Sequence, residues 1–149
     1  MEVETKYFGK LSVDNEKVIH FPHGIPGFLD EKQFVLLDLP GNPVFQVLQS
    51  VHTRTIAFVV TNPYHFYEGY EFELDDSILN QLQLKEKQDI VIYSIVTLQN
   101  KLADSTLNLR APIIVSAKNR LAKQYIIDDG NHPVKAPLKN VKTDNGKGV

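Results

Sequence analysis

The sequence predicts a mostly β fold, an antiparallel barrel-like or sandwich domain with about one short helix. Three observations lead there. Turn-formers interrupt the chain at short intervals, from Gly9, Pro22, Gly24, Pro26 and Gly27 to Gly130, Pro133 and Pro137. The runs between them are rich in Val, Ile, Phe, Tyr and Thr, which suit a pleated, half-buried surface. Only one stretch carries the 3.6-residue spacing of an amphipathic helix.

Taken in order, strands are expected at residues 2–7, 17–21, 34–39, 45–49, 56–61, 90–97, 113–117 and 121–127, with a further short one at 106–110. Ile56-Ala57-Phe58-Val59-Val60 and Ile90-Val91-Ile92-Tyr93 are apolar on both faces, as in central strands covered on each side. The helix follows Asp75-Asp76-Ser77, whose side-chain oxygens can accept the free N–H groups of a first turn. Ile78, Leu79 and Leu82 then share one face, and residues 83–87 close the helix in a charged turn. Parallel strands would need a helix between successive strands, and there are too few helices for that. The expected core is Phe34, Leu36, Phe45, Val47, Phe58, Val60, Ile92, Ile95, Ile113, Val115 and Ile126. A single domain over residues 1–138 is expected, followed by a disordered tail at 139–149 that has almost no apolar content.

Composition narrows the function. A chain of 149 residues, 42% hydrophobic, can build a core without covalent staples. It has no cysteine, which excludes disulfides, thiolate metal sites and thiol catalysis. There is no apolar leader and no run long enough to span a membrane, so a cytoplasmic protein is expected. The net charge is −2, and the three Lys and one Asp of the tail leave −4 on residues 1–138. A nucleic-acid binder needs a basic stripe on its folded part, so direct RNA or DNA binding is not expected.

No residue pattern points to a catalytic or cofactor site. His20 and His23 flank Phe21-Pro22, and the proline rules out a helix that would carry both as metal ligands; they read as loop histidines. There is no Gly-x-Ser-x-Gly elbow, no Ser-x-x-Lys and no kinase signature. Gly24-Ile25-Pro26-Gly27 lacks the Lys-Ser/Thr of a phosphate loop and reads as a tight turn. Its apolar neighbours Ile25, Phe28 and Leu29 either plug a barrel end or meet a partner.

Residues 62–76, Asn-Pro-Tyr-His-Phe-Tyr-Glu-Gly-Tyr-Glu-Phe-Glu-Leu-Asp-Asp, stand out. They hold Tyr64, Phe66, Tyr67, Tyr70 and Phe72 together with Glu68, Glu71, Glu73, Asp75 and Asp76, and no Lys or Arg. Rings that anchor and carboxylates that steer suit an interface for a basic partner. The plainer reading is an edge strand with Phe66, Tyr70 and Phe72 turned inward and its glutamates in solvent.

Several ordered segments resemble the FliW flagellar assembly factor family. They are Phe21-Pro22-His23-Gly24-Ile25-Pro26-Gly27-Phe28, Val47-Leu48-Gln49-Ser50, Ile56-Ala57-Phe58-Val59-Val60-Thr61-Asn62-Pro63, Tyr70-Glu71-Phe72, Ile95-Val96-Thr97, Thr106-Leu107-Asn108-Leu109-Arg110-Ala111-Pro112-Ile113-Ile114-Val115 and Gln124-Tyr125-Ile126-Ile127. Near the end, His132-Pro133-Val134-Lys135 stands where the family pattern has a Tyr and often an Arg. The resemblance implies a small, barrel-like, non-enzymatic cytoplasmic regulator, a monomer when free and without cofactor. It implies two protein partners, flagellin and the RNA-binding translational repressor CsrA, and relief of repression when the regulator is free of flagellin. On that footing Glu68, Glu71, Glu73, Asp75 and Asp76 are candidates to face the basic repressor, and Ile25, Phe28, Tyr64, Tyr67 and Tyr70 to line an apolar groove for flagellin. The alternative class is a small β-barrel enzyme, a hydrolase or isomerase, pairing a carboxylate with His65 or His20.

Overall fold

A computed structural model describes residues 1–84 and 89–138, so the expected tail and part of the charged turn after the helix lie outside the described residues. The strands in chain order are β1 (Glu2–Thr5), β2 (Gly9–Ser12), β3 (Ile19–His20), β4 (Gln33–Asp38), β5 (Phe45–Ser50), β6 (Ala57–Thr61), β7 (Ile90–Thr97), β8 (Thr106–Leu107), β9 (Ile113–Ser116), β10 (Ala122–Gln124) and β11 (Ala136–Pro137). The helix α1 spans Asp76–Gln81.

The expected strand at 2–7 is a hairpin. Thr5 ends it: its hydroxyl donates to the Gly9 carbonyl at 2.7 Å and accepts the Phe8 N–H at 2.8 Å, turning the chain back into β2. The Lys6 N–H donates to the side-chain oxygen of buried Gln49 at 2.9 Å, which ties this hairpin to β5.

The main sheet runs β10-β9-β7-β6-β5-β4-β3, antiparallel throughout, with β8 paired to β7 and β11 to β8. Its two ends meet. The His20 N–H donates to the Arg120 carbonyl at 2.8 Å, a bridge joins His20 to Leu121, and the Arg120 guanidinium donates to the Lys17 carbonyl at 2.8 Å. That contact closes the sheet between His20 and Leu121 and makes it barrel-like.

The register explains the core. Pairing Phe34 with Ser50, Leu36 with Leu48 and Leu48 with Phe58 stacks Phe34, Leu36, Leu48 and Phe58 on the inner face. Ile19, Phe21, Ile25, Val60, Ile113, Val115 and Ala122 complete that cluster. All four residues of β9 are buried because it is covered on both sides: Ile113 and Val115 face the barrel, whereas Ile114 packs beneath α1 with Ile78, Leu82 and Leu84. Asp75 caps α1 by accepting the Ile78 N–H at 3.0 Å. Each fully buried aliphatic side chain contributes about 1.5–3 kcal/mol, so this six-residue helix is held by its apolar face and not by its own propensity.

Among the expected core residues, Phe34, Phe45, Val47, Val60, Ile113 and Val115 are buried, and Leu36, Phe58, Ile92 and Ile95 are partly buried. Ile126 is not: it is 59% exposed. Beyond β10 the chain stays extended, with the Tyr125 N–H bonded to the Pro112 carbonyl at 2.9 Å and the Ile127 N–H to the Arg110 carbonyl at 2.8 Å. Alternation then buries Ile127 and turns Ile126 outward.

Candidate functional site

The acidic-aromatic segment is no edge strand. Asn62 accepts the Tyr64 N–H at 2.9 Å and caps a single turn at Pro63–His65, and no residue from 66 to 75 is in a strand. The rings nevertheless turn inward. Phe66 stacks on Phe45, and Phe72 lies 5.2 Å from Tyr70 and 6.2 Å from Tyr125, centroid to centroid. The Tyr70 hydroxyl donates to the Leu109 carbonyl and the Tyr67 hydroxyl to the Pro137 carbonyl, each at 2.6 Å. Burial, then Tyr64 and Asp129, pushes the Tyr70 phenol far above its ordinary value. These tyrosines therefore fasten the segment to the loops after β8 and at β11. Glu68, Glu71, Glu73, Asp75 and Asp76 are left on the outside.

Two adjacent grooves result. The first, of about 780 Å³, runs between Glu71, Phe72, Glu73 and Asp75 on one side and residues 125–129 on the other. Among the described residues its lining holds the carboxylates of Glu71, Glu73, Asp75, Asp128 and Asp129 and no cation, over an apolar floor of Phe72, Tyr125, Ile126 and Ile127. Burial, and after it Asp75 and Glu73, raises the Tyr125 phenol, as expected for carboxylates facing the ring across the groove. The second groove, of about 610 Å³, is lined by Tyr67, Tyr70, Leu109, Ala136 and the prolines Pro133 and Pro137, with Glu68 and Glu71 at its rim.

His132 marks the boundary. Its Nδ1 lies 3.0 Å from Asp129 Oδ1, its Nε2 lies 3.0 Å from the Glu71 carbonyl oxygen, and its ring meets Tyr70 edge-on at 5.5 Å. The Asn131 N–H, and after it His132, holds the Asp129 carboxyl below the usual carboxylate range. This is the one carboxylate–histidine ion pair among the described residues. One ring nitrogen faces a carboxylate and the other a backbone carbonyl, so the ring ties the Asp129 turn to the backbone of Glu71. His20 and His65 have no side-chain hydrogen bond or ion pair among the described residues, so the carboxylate pairing that the enzyme alternative needs is not formed at either.

The structure gathers Glu71, Glu73 and Asp75 into the first groove and Tyr67, Glu68 and Tyr70 into the second, with Glu71 shared. Tyr64 leans on Tyr70 at 5.7 Å outside both linings, and Asp76 lies in the first turn of α1. The Gly24–Phe28 turn is placed apart from both grooves. Ile25 is only 2% exposed and belongs to the barrel core, so it plugs the barrel instead of lining a free surface. Phe28 is 38% exposed and packs edge-on to Phe58 at 5.5 Å. Sequence reasoning missed Ile126, Asp128, Asp129 and His132. The available signal was Asp128-Asp129-Gly130, a turn that returns an acidic pair beside the segment ending in Asp75-Asp76.

Comparison with known proteins fits this architecture. The family model described as FliW protein matches residues 2–138. The chain is 42% identical over 147 residues to the flagellar assembly factor FliW of Oceanobacillus iheyensis, covering 99% of this chain and 100% of that protein. It is 43% identical over 138 residues to the flagellar assembly factor FliW of Bacillus subtilis, covering 93% and 96% of the two chains. A crystal structure of the flagellar assembly factor FliW superposes with a TM-score of 0.89 at 41% identity, over 95% of this chain and 99% of that one.

Proposed function

The chain belongs to the FliW family of flagellar assembly factors, and on that premise we propose that it is a cytoplasmic, non-catalytic regulator that works by being occupied. It holds flagellin, and when free of flagellin it holds a CsrA-type translational repressor and so relieves repression of flagellin mRNA. The observation that carries this reading is the pair of adjoining grooves, one ringed by carboxylates and the other mainly apolar. An RNA-binding repressor presents a basic face. A ring of carboxylates attracts that face, speeds encounter and repels phosphate docked beside it. Flagellin is long and helical, and capturing an amphipathic helix calls for an apolar groove such as that bounded by Tyr67, Tyr70, Leu109 and Pro137. Phe28, half exposed on the barrel, and Tyr64 are further candidate contacts.

The two partners need not share atoms; the switch needs only that each weakens the other. The test is a binding measurement with purified flagellin and purified repressor, each alone. The reading predicts a stable complex with each. Failure to bind both would overturn it, as would turnover of a small substrate by the isolated protein.

A further inference from the structure

We infer that the first groove is a slot for strand addition, in which an extended peptide alternating basic and apolar side chains docks between residues 72–74 and 124–128. The inference rests on the protein-binding reading above and specifies how one partner is held. Three features carry it.

The first is unpaired backbone. The Tyr125 and Ile127 N–H groups bond toward residues 110–112, so the peptide groups of Ile126 and Asp128 point the other way. Neither makes a backbone hydrogen bond, nor do Phe72, Glu73 and Leu74 on the opposite wall, among the described residues. Two stretches outside any strand thus flank the groove with backbone donors and acceptors that are unpaired among the described residues, which is the arrangement that strand addition completes.

The second is spacing. Exposure alternates along residues 71–75, with Glu71, Glu73 and Asp75 outward and Phe72 and Leu74 inward. Carboxylates at every second residue of an extended chain recur about every 7 Å, which is also the repeat of like-facing side chains on an added strand. A peptide with Lys or Arg at alternate positions matches them one for one. The residues between would meet the floor at Tyr125 and the exposed Ile126.

The third is sign. Free strand edges invite a second copy of the same chain. Here the edge is ringed by the carboxylates of Glu71, Glu73, Asp75, Asp128 and Asp129, so two copies repel while a basic strand is attracted.

The probe is a capped peptide of alternating Lys and Val, compared with the same peptide N-methylated at every second amide, which keeps all charges but removes the donors of one edge. Amide hydrogen exchange of the full chain is followed by NMR. The proposal expects slowed exchange at Ile126 and Asp128 on adding the plain peptide, and affinity at least about tenfold weaker after methylation. Equal affinity of the two peptides would mean charge attraction only and overturns it, as does protection confined to other residues. Protection of Ile126 without peptide, together with a doubled mass in solution, would make a second copy the occupant and also overturns it. Flagellin and repressor binding are measured on the same sample. If they bind and the peptide does not, strand addition alone falls; if the peptide adds but neither protein binds, the functional reading falls and the slot stands.

Discussion

On the proposed function, reversing two of the groove's carboxylates, Glu71→Lys with Glu73→Lys, should change the encounter with a CsrA-type repressor far more than it changes the fold. Both side chains are exposed, and surface substitutions of this kind usually shift stability by no more than about 0.5 kcal/mol. Among the described residues the first groove is lined by five carboxylates and no cation, so the double reversal takes the formal charge of that lining from −5 to −1. Two unit charges about 8 Å apart in water interact by about 0.5 kcal/mol. Each reversal against one facing cation changes that by two units, about 1 kcal/mol, and the pair by about 2 kcal/mol at low salt. Association should then slow by roughly 10- to 30-fold at low ionic strength. At about 0.15 M salt the separation equals one Debye length, the energy falls to about a third, and the effect shrinks to roughly threefold. Stopped-flow association of the repressor across an ionic-strength series reads this. An unchanged on-rate together with an unchanged salt slope would refute the reasoning and leave the acidic segment a solvated face.

Other perturbations separate fold from surface. Gly24→Ala forces a φ of +70° on a residue with a Cβ, which would lie 2.7 Å from the Leu29 Cα and carbonyl carbon. The left-handed backbone costs about 1–2 kcal/mol and the clash with main chain adds more. A fall in melting temperature of about 6–12 °C is expected by circular dichroism, and a change within about 2 °C would contradict it. Tyr70→Phe strands the Leu109 carbonyl at a cost of about 1–3 kcal/mol in urea unfolding. Because burial raises the Tyr70 phenol, its contribution is intact below about pH 10, where the unfolded chain ionises, and is lost as pH rises beyond; the Phe variant should show less alkaline destabilisation. The low carboxyl of Asp129 works the other way: it stabilises above the ordinary carboxylate range, and its contribution fades as pH falls through its folded value. Asp129→Asn should therefore flatten the acid limb of the stability profile. Phe28→Ala should cost only about 1–2 kcal/mol, since the ring is half exposed, while weakening flagellin capture; a loss above about 3 kcal/mol would return Phe28 to the core.

Much of the barrel was legible because its central strands are runs whose burial is decided locally. β4, β6, β7 and β9 are largely apolar runs, and in β5 Phe45, Val47 and Leu48 supply the apolar positions. What escaped depends on partners distant in the chain. Gly9-Lys10-Leu11-Ser12 has little apolar content and becomes β2 only because Thr5 turns the chain back, and Ala136–Pro137 becomes β11 only because Leu107 lies opposite. Ile126 is exposed although the sequence suggests core, because an Ile-Ile pair does not say which member faces inward; the bonds to Arg110 and Pro112 decide it. Half of the first groove was visible as a run of carboxylates at 71–75. The other half, Asp128 and Asp129, is some 55 residues away in sequence, and the packing of Phe72 on Tyr125 together with His132, which bridges Asp129 and the Glu71 carbonyl, brings it alongside. Ile25 shows the converse: an apolar residue among turn-formers suits either a plug or a partner contact, and the tight turn folds it into the barrel.

Titrating purified flagellin into a preformed complex of this protein with a CsrA-type repressor, and following the repressor's return to flagellin mRNA, puts occupancy itself to the test. Flagellin should release the repressor in step with its own binding, and the released repressor should bind the message again. A stable three-part complex in which the repressor neither leaves nor recovers RNA binding would contradict the account.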